Sequence, residues 1–104
     1  MDAPPNPTPP QPKASPAALE EARERMIQLS ARATAVSRSM QRMEEQQAKF
    51  GGGMRTDMAA ARESMDYYLT EAQNSLAAQD LDGAKRKMAQ AETNLEKLER
   101  FLGR

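Results

Sequence analysis

From Leu19 the apolar positions recur at alternating steps of three and four: Leu19, Ala22, Met26, Leu29, Ala33, Val36, Met40 and Met43, with Phe50 returning to the same stripe. Those steps trace one face of an α-helix, and their persistence over several heptads makes a coiled-coil-like seam. Ser15 followed by Pro16 marks the start, a hydroxyl that accepts from a free N–H and a ring already held at helical φ. Gly51-Gly52-Gly53 marks the stop, because residues without Cβ release the chain from helical geometry. The pattern predicts a first helix over 16–50.

A second stripe carries Met58, Ala61, Met65, Tyr68, Leu69, Ala72 and Leu76, drifting as an ordinary helix of 3.6 residues per turn does. It predicts a helix over about 54–79, starting at Met54 or at Thr56. Asp80-Leu81-Asp82-Gly83 interrupts with capping and turning residues, and Leu81, Ala84, Met88, Ala91, Leu95, Leu98 and Leu102 open a third seam over 81–102. Gly103 stands where that helix would end. Joins this short make neighbouring helices antiparallel, so the expected fold is all-α, an antiparallel three-helix bundle of coiled-coil-like character.

All seven prolines fall in the first sixteen residues. Residues 1–15 hold no large apolar side chain after Met1, so burial cannot offset the entropy of ordering them. They read as a disordered proline-rich linker of extended polyproline II character, with 16–104 as the helical bundle. Pro4 to Pro7 and Pro7 to Pro10 also fit the spacing of a ligand for an aromatic-lined groove, but the flanking basic residue is only Lys13, and the linker reading is preferred.

Composition narrows the chemistry. The 104 residues contain no histidine, cysteine or tryptophan, which leaves no imidazole base, thiolate nucleophile, disulfide or zinc site of the usual nitrogen and sulfur kind. Fifteen basic and fifteen acidic residues give a formal net charge of zero, and so no long-range field toward phosphate or anionic lipid. No aliphatic run approaches the roughly 20 residues that span a bilayer. The start lacks a basic n-region and an apolar h-region, so the default expectation is a soluble, cytoplasmic chain, with a domain excised from a secreted or anchored protein as the other reading.

At the second join Tyr68, Ala72, Asp80, Leu81, Ala84, Met88 and Ala91 fall where a tetratricopeptide repeat places its aromatic, its small residue, its turn and its paired alanines. Residues 68–95 resemble one such helical hairpin. The pattern departs from the family at Gln79, where a turn glycine is usual, and at Glu96, where a terminal proline is usual. The resemblance implies an antiparallel hairpin and a protein-interaction role. No second copy follows, and a lone repeat cannot form a stacked groove, so no binding residues are carried over.

Candidate sites are few. Gly51-Gly52-Gly53 with Met54, Arg55 and Thr56 offers backbone N–H groups and a guanidinium to an anion, yet it lacks the Gly-Lys-Ser/Thr ending of a P-loop and follows a helix, so it reads as a connector. Lys85-Arg86-Lys87 is the densest basic run, but adjacent helical residues point about 100° apart and no aromatics interleave for base stacking. The acids lie off the seams, where Glu21 with Arg25, Glu45 with Lys49 and Glu96 with Arg100 have the favourable i,i+4 order of surface pairs. No catalytic, cofactor or metal constellation emerges from them.

Methionine is the unusual abundance, eight in all, and its flexible thioether suits both a soft core and an adaptable interface. A third helix returning from Leu81 is expected to end near the level of Ala60. Met43, Phe50, Met54 and Met58 would then stand at a two-helix tip as a partner-binding surface. The functional expectation is a non-enzymatic helical protein-protein interaction or spacer domain on a proline-rich tether, with a protein partner or self-association and no cofactor. The rival is a nucleic-acid- or anionic-surface-binding module using Lys85, Arg86 and Lys87.

Overall fold

The computed structural model describes residues 15–49, 51 and 55–103, and among them every regular element is a helix. Three follow in order: α1 (Pro16–Lys49), α2 (Thr56–Ala77) and α3 (Leu81–Phe101). The arm over residues 1–14, together with Phe50 and Met54, lies outside the described residues. The chain forms a three-helix bundle. α2 begins at Thr56, one of the two starts that the stripe allows, and its last helical residue is Ala77, because the chain turns at Ala78 and Gln79.

Every boundary except the start of α2, where Arg55 makes no side-chain cap, has a local cause. The Ser15 hydroxyl accepts from the Ala18 N–H at 3.1 Å, the cap foreseen from the Ser-Pro pair. Gly51 adopts φ +77° and its N–H donates to the Ala48 carbonyl, which closes the end of α1. Gln79 takes the left-handed position after α2 with φ +59°. The Asp80 carboxylate accepts from the Gly83 N–H at 2.9 Å and caps α3. A Cβ at Gly83 would come within 2.7 Å of the Asp80 Cγ, so glycine belongs to the cap rather than to a helix break. Gly103, at φ +77°, ends α3 as expected.

Contacts fix the directions. Arg55 lies over the Phe101 ring and Lys87 over the Tyr68 ring, so α2 and α3 run in opposite directions. Arg25 bonds Glu92 and Arg32 bonds Glu99, each pair 67 positions apart, so α1 and α3 run in the same direction. Glu44 meets Arg62 at 4.0 Å beside the first join. Up, down and up is therefore the order of the helices.

The core is apolar throughout: no polar or charged side chain is buried among the described residues. α1 contributes Leu19, Ala22, Met26, Leu29, Ala33, Val36 and Met40, α2 Met58, Ala61, Met65, Ala72 and Leu76, and α3 Ala84, Met88, Ala91, Leu95 and Leu98. α2 and α3 are the most closely packed pair, and α1 meets either of them less intimately. α2 and α3 bury Ala61, Ala72, Gly83, Ala84 and Ala91 between them, and short side chains of this kind let two backbones approach. The first half of α1 borders α3 in a groove reaching Lys85 and Met88, and its second half borders α2 in a groove running from Asp66 to Gln73. The buried stripe of α1 stops at Met40. Met43, the next position of the seam, is half-buried.

Candidate functional site

The most developed polar arrangement joins α1 to α3. Arg32 holds Glu99 with two bonds, Nη2 to Oε1 at 2.7 Å and Nε to Oε2 at 3.2 Å, and its Nη1 donates to Glu92 Oε2 at 3.0 Å. Arg25 Nη2 donates to the other Glu92 oxygen at 3.0 Å. The result is a four-membered chain, Arg25 to Glu92 to Arg32 to Glu99, in which each inner group serves two partners. Hydrogen bonds from Arg32 and then Arg25 hold the Glu92 carboxyl below the ordinary glutamate range. The Glu99 bond, outweighing partial desolvation, raises Arg32 further above its already high value.

The placement follows from the heptad. Arg25 and Arg32 immediately precede the buried Met26 and Ala33, while Glu92 and Glu99 immediately follow the buried Ala91 and Leu98. Both members of each pair are seven residues apart, so each helix presents its charges on one edge of its seam. The i,i+4 reading missed this. Arg25 reaches across to Glu92 instead of closing on Glu21, and Arg32, which has no acid four residues away on its own helix, pairs with Glu92 and Glu99. The repeated spacing of seven on both helices is the signal that would have found it.

The basic run is divided among three surroundings. Lys87 is half-buried with its Nζ 5.6 Å from the centre of the Tyr68 ring. Lys85 borders the α1–α3 groove beside Glu21 and Glu24, and Arg86 is exposed. Arg55, the cation of the candidate anion site, donates to both carboxylate oxygens of Asp57 at 3.1 and 2.8 Å. At Asp57 desolvation favours the neutral acid, but the Arg55 bond and charge prevail and lower its pKa.

Met58 is corrected in one respect: it is 4% exposed and belongs to the core, not to an uncovered tip. The cause is the reach of α3. Phe101 and Leu102 pack against the core, and the Arg55 guanidinium lies 5.7 Å from the centre of the Phe101 ring, so α3 returns to the start of α2 rather than ending near Ala60. Met43 remains half-accessible, and Phe50 and Met54 lie outside the described residues. The large apolar side chains most exposed among the described residues are Ile27 at 68% and Tyr67 at 56%, neither of which the sequence pattern had singled out.

Among the described residues no cluster of three or more acids could hold a metal ion, and no helix is long and apolar enough to cross a membrane. Comparison of the chain with family models, with curated proteins and with solved structures finds no match.

Proposed function

We propose that this chain is a non-enzymatic helical domain that works by protein-protein association or as a spacer, held on its proline-rich segment. The observation that carries this reading is the Arg25, Glu92, Arg32 and Glu99 chain, whose charges are arranged at heptad spacing between helices. Edge charges of this kind select partner and register in helix association. The half-accessible Met43 and the exposed Ile27 and Tyr67 supply apolar contact points on the outside of the bundle. The hairpin likeness over residues 68–95 points the same way.

The test is photo-crosslinking from positions 27, 43 and 67 in the cell, followed by Ile27→Glu and Tyr67→Glu in the purified chain. A captured protein whose binding is lost while melting is unchanged supports association. Salt-sensitive retention on heparin or anionic vesicles, abolished by Lys85→Glu with Arg86→Glu, would support the rival reading instead.

A further inference from the structure

We propose that the α2–α3 hairpin accepts the α1 helix of a second copy of this chain in the place its own α1 occupies, so that two copies exchange α1 and the Arg25, Glu92, Arg32 and Glu99 clamp closes between them. This deepens the association reading and rests on it. The surface in question is the face of the hairpin that carries Met88, Glu92, Leu95 and Glu99, and its occupant is a helix presenting two arginines seven residues apart beside an apolar stripe.

Three observations lead there. First, the hairpin is the closely packed unit, whereas α1 meets it less intimately. Second, the clamp specifies its partner helix. Arg32 must meet Glu92 and Glu99 together, and Arg25 must meet Glu92, which fixes both the direction and the register of the helix that docks. A second copy carries that same helix, and every apolar and ionic contact is reproduced when it docks with α1 parallel to the partner's α3.

Third, Gly51 closes the end of α1 in the left-handed conformation, its N–H donating to the Ala48 carbonyl. Its φ is +77°, and a Cβ built there would meet nothing within 4 Å. A side chain there meets no clash, so a substitution at position 51 acts on the backbone conformation alone.

Reciprocal charge reversal in the full chain tests the exchange. One variant carries Arg25→Glu with Arg32→Glu, the other Glu92→Arg with Glu99→Arg. Each alone faces like charges along the clamp and is expected to melt lower than the parent. When the two are mixed, exchange restores both clamps at once, because each α1 meets the opposite charge on the other chain. The expected result is a species of twice 11.5 kDa whose melting temperature is regained. A mixture that melts as its two separate components and stays at the single-chain mass overturns the proposal.

Should either variant fail to fold alone, Gly51→Ala in the otherwise unaltered chain decides. Alanine at positive φ penalises the closed turn, and the exchanged form is expected to gain roughly tenfold in its equilibrium. Light scattering that shows no increase in doubled mass overturns exchange. If the copies stay apart while crosslinking from position 27 still captures another protein, exchange falls and the association reading stands.

Discussion

The seam between α2 and α3 and the seam between α1 and the hairpin solve the same problem with different residues. α2 and α3, the closest pair, bury Ala61, Ala72, Ala84 and Ala91 among larger residues such as Met65, Met88 and Leu95, and short side chains let backbones approach. α1 buries Leu19, Met26, Leu29, Val36 and Met40 with Ala22 and Ala33 between them, and adds the arginine-glutamate chain along its edge. Methionine and leucine give area and adaptability, while the charges give direction and register. One seam is specified by shape, the other by charge laid over a forgiving apolar stripe.

The largest expected effect is common to both seams. Leu98 is fully buried on α3, and Leu98→Ala should cost about 2–5 kcal/mol through lost burial and the cavity left behind. Urea unfolding followed by circular dichroism measures it. A loss below 1 kcal/mol would mean that the site collapses freely and that the core is looser than its burial indicates.

Enlarging an alanine separates the seams. Ala84→Leu should cost about 1–3 kcal/mol, because the hairpin backbones must part or the new side chain must strain. Ala22→Leu on α1, at a position 5% exposed, should cost less, since that helix is held less closely and can move outward. Equal losses at the two positions would erase the contrast between them.

The clamp gives a smaller effect with a distinctive dependence on conditions. Arg32→Met keeps the apolar stem and removes the charge, and because the side chains of Arg32 and Glu92 are 37% and 34% exposed the loss should be about 1 kcal/mol at most. It should shrink in high salt. The pH dependence has a definite sign: the Glu92 carboxyl is lowered in the folded chain, so its contribution is present above the ordinary glutamate pKa of about 4.3 and is lost as pH falls through the lowered value. Glu92→Gln should flatten that acid limb of a stability-pH curve, and an unchanged limb would assign it to other carboxylates.

These contrasts also show what a sequence displays. Apolar periodicity located all three helices, because burial demands one face per helix, and the capping residues Ser15, Gly51, Asp80 and Gly103 marked most of their ends. Periodicity says nothing of how far one helix reaches along another. The level of α3 was therefore misjudged, and Met58 was placed outside a core to which it belongs. The clamp was hidden for a related reason. Local i,i+4 pairs are visible within one helix, whereas Arg32 and Glu99 meet only after the third helix has returned.

The smallest effect concerns the turn on which the hairpin depends, and it is a gain. Gln79 holds φ +59°, a conformation in which its Cβ crowds the backbone at a cost of about 1–2 kcal/mol. The Asp80 N–H still donates to the Ser75 carbonyl at 2.8 Å and the Gln79 N–H to Leu76 at 3.0 Å, so the turn is closed despite its residue. Gln79→Gly relieves the crowding but adds unfolded-state freedom worth about 0.5–1 kcal/mol, leaving a net stabilisation of roughly 0.5–1 kcal/mol. Because the change lies at the α2–α3 join, it should strengthen the hairpin and leave the salt dependence of α1 docking as it was. A higher urea midpoint with an unaltered salt response is the expected outcome; a lower midpoint would show that the Gln79 side chain contributes to the turn in a way its backbone geometry does not reveal.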